Sequence, residues 1–234
     1  MNKQTMRMDL HCHSEASADC ITPIAAFPAR CKERGIHVQA ITDHNEIWGA
    51  QKLQSLVAEH GHDLTVIVGE EVSTREGEIV GLFLKEKIPA GLSPEETVAA
   101  IKEQRGLVLL PHGFDPLKRK RLNPEALERI AESVDIVEIF NARISRLKWN
   151  AAASAWATTH GLPESAGSDA HTVKDIGSAW VETLVAPADT PERLLEVLNN
   201  TASKVDGEWT HPAIALAYKG YDFLRDRFRK LTGN

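Results

Sequence analysis

The stretch that decides the fold is Met6-Arg7-Met8-Asp9-Leu10-His11-Cys12-His13-Ser14. Apolar or small residues alternate along it with polar or ionisable ones, which is the period of a β-strand with two different faces. The polar face carries Asp9, His11 and His13, where a solvent face would carry lysine, glutamate or threonine. Two imidazoles on one side of a strand can bind metal. The stretch alone also fits an edge strand whose polar residues face water, so residues elsewhere must decide between the two.

The composition sets limits on the class of protein. The chain has 234 residues, a formal net charge of −6 and 42% hydrophobic residues, which suits a single α/β barrel with a sizeable core. The negative charge argues against a nonspecific nucleic-acid coat, but not against an enzyme for small phosphorylated molecules. Three cysteines, no apolar signal segment and no run of about 18 apolar residues predict a reduced, cytoplasmic protein that does not span a membrane.

Beyond the first strand, strand and helix patterns alternate about seven times. Short apolar strands are predicted at 38–42, 64–68, 107–110, 135–140, 163–166 and 180–184, with an antiparallel or edge strand at 78–84. Signals such as Ser93-Pro94 and Thr190-Pro191 start the helices between them. This order predicts a parallel sheet that is wrapped by helices.

Metal-capable side chains follow most of these strands. They are His13, His44, Glu71, His112, Asn141, Asp169 and His171. In a barrel the C-terminal ends of the strands converge on one face, whereas an open sheet would spread them in a row, so this set favours a barrel. One histidine at a strand end is usually structural, but many ionisable groups together are costly unless metal ions offset their repulsion. We therefore predict a metal site on this face.

Six short motifs, in this order, resemble those of the polymerase and histidinol phosphatase (PHP) superfamily over about residues 7–185. They are Asp9-Leu10-His11-Cys12-His13-Ser14 with Asp19 following, Thr42-Asp43-His44-Asn45, Gly69-Glu70-Glu71, Pro111-His112-Gly113, Glu138-Ile139-Phe140-Asn141-Ala142-Arg143 and Gly167-Ser168-Asp169-Ala170-His171. The resemblance implies a distorted (β/α)7 TIM-like barrel that binds two or three divalent metal ions. It also implies their ligands, which are His11, His13, Asp19, His44, Glu71, His112, Asp169 and His171.

The family pattern also sorts the remaining motif residues. It selects Glu71 over Glu70 as the ligand. Asn141 stands where members carry a histidine, asparagine or cysteine ligand, and both a weak ligand and a support for other ligands remain open. Asp9, Asp43 and Glu138 are expected to support the ligands, the last two by orienting imidazole rings. Mixed histidine and carboxylate ligation favours Zn, Mn or Fe over Mg or Ca.

The resemblance implies a phosphoester hydrolase in which a metal-activated hydroxide attacks phosphorus. Glu71 is expected to bridge two metals, and Asp169 to bind a metal and handle the proton of the attacking water. The leaving oxygen would take its proton from His171 or Asp43, and the sequence does not choose between them.

Substrate binding needs cations beyond the metals. Arg143 is the first candidate and Arg146 the second. The basic run Lys118-Arg119-Lys120-Arg121 lies on the loop after the fourth motif and is either a solvated loop or a phosphate clamp, with Lys118 and Arg119 as its binding residues. The chain lacks an inserted lid domain, so we expect a shallow site for a small phosphomonoester or nucleotide. The alternative is an exonuclease-type phosphodiesterase that acts on nucleic-acid ends.

The C-terminal region is predicted to be a helical extension that packs on the barrel. The barrel is expected to occupy residues 1–200 and a helical extension residues 201–234. Apolar residues recur at steps of three or four from His211 to Leu231, which predicts an amphipathic helix. We expect this helix to pack on the barrel, with a dimer contact or partner site as the alternative. A function of another class also stays open, in which the chain is a non-catalytic metal-binding or partner-binding domain.

Overall fold

The computed structural model describes residues 5–184, 186, 188–200 and 203–209. Its strands are β1 (Thr5–Asp9), β2 (Ile36–Ile41), β3 (Thr65–Thr74), β4 (Gly77–Leu82), β5 (Leu107–Leu110), β6 (Ile136–Asn141), β7 (Glu164–Gly167), β8 (Ala179–Leu184) and β9 (Lys204–Gly207). Its α-helices are α1 (Phe27–Arg34), α2 (Trp48–His60), α3 (Pro94–Glu103), α4 (Pro124–Ile130), α5 (Leu147–His160) and α6 (Pro191–Leu198). Short 3-10 turns lie at Ile24–Ala26, Ala131–Ser133 and Val173–Asp175.

All nine of these strands belong to one sheet, in the order β7-β6-β5-β4-β3-β2-β1-β8-β9. The runs β1–β2–β3 and β5–β6–β7 are parallel, whereas β4 is antiparallel to both β3 and β5. On the other side of β1, β8 and β9 add an antiparallel pair. The pattern at 78–84 predicted an antiparallel or edge strand, and β4 is the antiparallel one, placed inside the sheet.

The sheet curls until its first and seventh strands meet beyond their C-terminal ends. The backbone N–H of Leu10 donates to the carbonyl of Ala166 at 3.1 Å, and that of Asp169 donates to the carbonyl of His11 at 2.8 Å. The predicted barrel class is confirmed. The structure departs from a purely parallel (β/α)7 arrangement through the antiparallel β4 and through the β8–β9 pair.

Two apolar layers pack on the two faces of this sheet. The outer layer lies between strands and helices and includes Phe27 and Ile101. The inner layer fills the barrel with side chains such as Met8 and Ile67, and α6 adds Leu194 to it. Close packing on both faces fixes the strand ends relative to one another.

The alternation of the first strand does not continue through its histidines. Met8 and Leu10 lie in the inner layer, whereas Cys12 lies in the outer one. The backbone therefore changes its pleat after β1 ends at Asp9, and the predicted single polar face is wrong for Asp9. That carboxylate contacts backbone N–H groups, including that of His11.

β9 lies beyond residue 200, where the barrel was predicted to end, and it extends the sheet. The predicted helix from His211 to Leu231 lies outside the described residues. Among the helices that are described, none has the length and apolar character that a membrane span requires.

Candidate metal centre

Five histidines meet at one end of the barrel, because each follows a strand that ends on the same face, and three of them line the open cleft there: His44, His112 and His171. His11 and His13 follow β1, His44 follows β2, His112 follows β5 and His171 follows β7. The centroid of the His11 ring lies 5.2 Å from that of His13 and 5.6 Å from that of His112. The centroid of the His13 ring lies 4.5 Å from that of His44 and 4.4 Å from that of His171. The structure thus brings together the histidines that the sequence singled out.

Glu71 lies in the middle of these rings. Its carboxylate oxygens are between 2.9 and 3.5 Å from ring nitrogens of His112, His44, His13 and His11. Strand β3 places Glu71 on the barrel side of the sheet, so the neighbouring Glu70 faces the opposite side. There Glu70 accepts the backbone N–H of Ile88 at 2.8 Å.

Asp169 is the second carboxylate in the centre. Its Oδ1 lies 3.4 Å from His13 Nε2, and its Oδ2 pairs with the Lys118 ammonium. Asp169 and His112 both have a positive φ, of 49° and 28°. Positive φ is uncommon outside glycine, and such strained backbone is typical of functional sites.

Asp19 stands at the open side of the cleft. Its carboxylate oxygens lie 3.7 Å from His44 Nε2 and 3.5 Å from His171 Nε2. Its side chain is 39% exposed, whereas those of Glu71 and Asp169 are buried. The centre is therefore open to solvent on the Asp19 side.

The donor set fits divalent metal ions. Among the described residues, His11 Nε2 and His13 Nε2 are buried and have no hydrogen-bond partner. Four sets of three ligand atoms lie within 4.8 Å of one another: His13, His44 and His171; His11, His13 and Asp169; His11, Glu71 and His112; and His44, Glu71 and Glu78. Ligands at about 2.0–2.2 Å from one ion are about 3–3.5 Å apart, and the nitrogen–oxygen distances around Glu71 fall in that range.

Glu138 supports this donor set from below. Its Oε1 lies 3.0 Å from His11 Nδ1, and its Oε2 accepts the backbone N–H of His112 at 2.7 Å. Oε2 also accepts the side-chain N–H of Asn141 Nδ2 at 3.0 Å, while Asn141 Oδ1 accepts the backbone N–H of Arg143 at 2.9 Å. Since both ends of the Asn141 amide are engaged, this geometry favours the supporting role over the weak ligand.

Asp43 supports the site through two serines. It accepts Ser14 Oγ at 2.6 Å and Ser17 Oγ at 2.8 Å, and Ser17 Oγ lies 3.1 Å from His13 Nδ1. Asp43 is buried and is not among the residues that line the cleft. Its position therefore does not suit the predicted proton donor and suits a group that orients His13 through Ser17.

Asp9 holds backbone rather than an imidazole. It accepts the N–H groups of His11 at 3.3 Å, Ser168 at 3.0 Å and Gly177 at 3.2 Å. Burial raises the pKa of Asp9 to about 6. The contacts tie the end of β1 to the loop that carries Asp169.

The electrostatic environment differs from one ligand to the next. Burial lowers the pKa of His11, but Glu138 and Glu71 outweigh it and hold that pKa well above its usual value. Burial and the neighbouring cation Arg143 lower the pKa of His171. Burial alone would raise the pKa of Asp169, but Lys118 and the other positive groups around it hold that pKa well below its usual range. The directions of these two shifts favour a neutral His171 and an ionised Asp169, the forms that bind metal.

Cations form one wall of the cleft, which has a volume of about 340 Å³. Lys118, Arg119, Lys120 and Arg143 line it together with the carboxylates and imidazoles. Arg143 donates to the Asp169 carbonyl at 3.1 Å and contacts His171 Nδ1. Arg146 is exposed and is not among the lining residues, so the structure does not bring this predicted substrate-binding residue to the cleft.

Sequence reasoning missed three residues of this site. Glu78 lines the cleft, Ser17 connects Asp43 to His13, and Asp115 fixes the basic loop by accepting the Ser145 N–H and hydroxyl, both at 2.6 Å. The prediction that the strand at 78–84 is antiparallel could have indicated Glu78, because an antiparallel strand starts at the end of the barrel where the parallel strands finish. Nothing in the local pattern pointed to Ser17 or Asp115.

Comparison with known proteins agrees with this geometry. Residues 9–146 match a family model described as the PHP domain, and residues 148–203 match one described as PHP-associated. An uncharacterised protein of Methanocaldococcus jannaschii is 34% identical over 206 residues, which are 86% of this chain and 81% of that protein. A protein named 5'-3' exoribonuclease from Haemophilus influenzae is 31% identical over 126 residues, which are 49% of this chain and 45% of that protein.

The fold also has a relative among solved structures. A two-domain protein from Bacteroides vulgatus, described as containing a predicted PHP-like metal-dependent phosphoesterase, matches with a TM-score of 0.68 and 16% sequence identity. The match covers 88% of this chain and 65% of that one, so the chain spans just under two thirds of that structure.

Proposed function

Because the chain belongs to the PHP family, we propose that it is a metal-dependent phosphoesterase that hydrolyses a small phosphomonoester or a nucleotide. The observation that carries the proposal is the position of Glu71, which lies within 3.5 Å of ring nitrogens from four histidines in a cleft with a cationic wall. Such a site can take negatively charged phosphoesters.

The metal ligands that we propose are His11, His13, Asp19, His44, Glu71, His112, Asp169 and His171. The sets of ligand atoms share members, so two or three ions would be neighbours in the cleft. Zn, Mn and Fe suit mixed imidazole and carboxylate ligands. Bound ions of this kind supply a water of lowered pKa and stabilise negative charge on a phosphoryl group.

Asp169 is the residue that we assign to the proton of the attacking water. Its lowered pKa favours the carboxylate form, and it lies in the cleft wall beside His13. His171 also lines the cleft, but its lowered pKa makes it a poor proton donor at neutral pH. Since Asp43 is enclosed, we propose that solvent protonates the leaving oxygen through the open side of the cleft.

The cationic wall is the proposed phosphate-binding element. Lys118, Arg119 and Arg143 face the same cleft as the metal ligands, and the Arg guanidinium can bind two phosphate oxygens at once. The basic loop is held in place by Asp115, and the backbone N–H of Glu78 donates to the Lys120 carbonyl at 2.7 Å. These contacts favour the clamp over the freely solvated loop.

A second candidate function is an exonuclease-type phosphodiesterase that acts on nucleic-acid ends. A groove of about 450 Å³ adjoins the cleft, shares Arg119 and Lys120 with it and adds Arg75 and Arg121. Glu76 and Glu78 also line this groove, and the basic side chains between them can contact the phosphates of a nucleic-acid backbone. The relative named as a 5'-3' exoribonuclease supports the same alternative.

The two candidates and a non-catalytic protein are separated by one set of assays. The substrates are p-nitrophenyl phosphate, a nucleoside 5'-monophosphate and a 5'-phosphorylated oligonucleotide, each with Mn²⁺, Zn²⁺ or Fe²⁺. Release of phosphate from the monoesters supports the proposal, and stepwise shortening of the oligonucleotide supports the second candidate. Bound metal without hydrolysis of any phosphoester would contradict both.

Two variants test the proposed roles in the same assays. Asp169→Asn should lower kcat by about 100-fold or more, the size of a lost acid–base group. Arg119→Glu should raise KM without lowering thermal stability. Arg146→Glu is its matched control, because Arg146 is exposed outside the cleft, and its KM should equal that of the wild type.

A further inference from the structure

Glu78 is a buried carboxylate in the cleft that belongs to none of the predicted ligand motifs. It is the second residue of β4, opposite Ser73 near the end of β3. Because β4 is antiparallel to its neighbours, its start lies where the parallel strands end. The Glu78 side chain is 4% exposed, and a carboxylate that is buried to this degree needs a cationic partner.

The surroundings of Glu78 have the spacing of a metal site. Its Oε1 lies 3.3 Å from His44 Nδ1, and Oε2 of Glu71 lies 3.1 Å from the same nitrogen. That nitrogen is buried and makes no hydrogen bond to any described residue. The ligand atoms of the three residues lie within 4.8 Å of one another. One divalent ion at about 2.0–2.2 Å from each would satisfy all three.

Lys120 already places a positive charge against this carboxylate. Its ammonium lies 3.0 Å from Glu78 Oε1, and its side chain is 57% exposed. A lysine that reaches in from solvent is free to withdraw, because its flexible stem is not enclosed by protein. A metal ion and Lys120 would therefore compete for the same oxygen.

We propose that Glu78 is a further metal ligand, which binds a divalent cation together with His44 and Glu71, and that Lys120 neutralises Glu78 when no ion is bound there. The inference rests on the proposed function in so far as both require the metal centre. The inference adds a carboxylate ligand from an antiparallel strand. It also predicts that Lys120 and the metal ion compete for Glu78.

The test is Mn²⁺ binding to the full chain, measured by isothermal titration and by metal content after gel filtration. Glu78→Gln keeps the size of the side chain and removes its charge. It should lose one ion per chain, or bind one ion more than about 100-fold less tightly, beyond the about 10–100-fold that loss of a group behind a ligand costs, with the other ions unchanged. Lys120→Met should bind that ion more tightly than the wild type.

Controls separate a ligand from a merely structural residue. Glu182→Gln removes a carboxylate of the Arg7–Glu182 pair on β8 and should bind Mn²⁺ like the wild type. Glu78→Asp, which keeps the charge, should restore part of the affinity if Glu78→Gln proves unstable. Wild-type number and affinity of ions in Glu78→Gln would overturn the inference.

The same titration keeps the two claims distinguishable. If the wild type binds metal but hydrolyses no phosphoester, the proposed function fails, and a weakened ion in Glu78→Gln still supports the ligand. If the wild type hydrolyses phosphoesters and Glu78→Gln binds every ion normally, only the inference about Glu78 fails.

Discussion

Glu138 Oε1 lies 3.0 Å from His11 Nδ1, and both side chains are fully or almost fully buried. The contact leaves the other ring nitrogen, Nε2, directed towards Glu71 at 3.5 Å. A carboxylate behind an imidazole fixes the orientation and tautomer of the ring and makes its free nitrogen a stronger ligand. Through this contact Glu138, on strand β6, orients a ring of the metal centre.

Glu138→Gln should weaken metal binding about 10–100-fold, because the amide keeps the shape of the side chain but loses the negative charge behind the ring. Titration with Mn²⁺ measures the effect, and Glu182→Gln on β8 is the matched control. Equal affinities for the Glu138 variant and the wild type would show that the contact does not act on metal binding.

Gly167→Ala should damage both stability and metal binding. A Cβ at this position would overlap Glu138 and the side chain of His11, so we expect a loss of about 1–3 kcal/mol in the free energy of unfolding and fewer bound ions. Gly61→Ala is the comparison, since Gly61 has a positive φ but open space around it. It should cost about 1 kcal/mol and leave the ion count unchanged. Full metal binding by the Gly167 variant would contradict the steric argument.

Asp115→Asn should raise KM and leave kcat nearly unchanged. The substitution weakens the bonds to Ser145 that hold the basic loop, and a loss of about 1–2 kcal/mol in substrate binding raises KM about fivefold to thirtyfold. Steady-state kinetics with a phosphomonoester measure it. Asp135→Asn is the control, because Asp135 also accepts a backbone N–H, from Val108 at 2.7 Å, outside the cleft. A drop in kcat at constant KM would argue against a positioning role for Asp115.

The histidines of the site could be predicted from sequence because each follows an apolar strand, and strand ends of a parallel barrel converge. Glu78 could not be predicted from that rule, since it begins an antiparallel strand. Asp9 supports the site as expected, but the prediction that it shares one strand face with His11 and His13 was wrong for a different reason. The prediction applied the alternation of a β-strand to all residues from Met6 to His13. Hydrogen bonds to β7 change the pleat of the chain after Asp9, so the alternation does not continue to the histidines.

The support residues show a second limit of sequence reasoning. Asp43 was expected to orient an imidazole, and the structure gives it that contact only through Ser17. Asp115 and Ser145 are 30 residues apart and meet because the loops after β5 and β6 are neighbours. Contacts of this kind depend on tertiary packing and leave no local period in the sequence.

Glu70→Gln should remove a pH dependence of stability. Burial raises the pKa of Glu70 from 4.5 to about 7 in the folded chain. Between about pH 4.5 and 7 the folded state then binds more protons than the unfolded state, so the free energy of unfolding of the wild type falls as pH rises. The variant lacks this titration. The free energy of unfolding of the variant minus that of the wild type should therefore be about 1–2 kcal/mol larger at pH 8 than at pH 4.5.

Urea unfolding of wild type and Glu70→Gln at the same metal content measures this difference across pH 4.5–8. Glu70 faces away from the cleft, so activity at pH 8 should be equal in the two proteins. A difference in stability that stays constant over this range would show that Glu70 is ionised throughout.

The central claim is that bound divalent ions and the ligands around Glu71 together carry out phosphoester hydrolysis. The direct measurement is the number of ions per chain, taken with the hydrolysis rate, before and after chelation and again after Mn²⁺ is restored. We expect two or three ions before chelation, loss of hydrolysis together with the ions, and recovery of both when Mn²⁺ is restored. Undiminished hydrolysis by protein shown to contain no metal would contradict it.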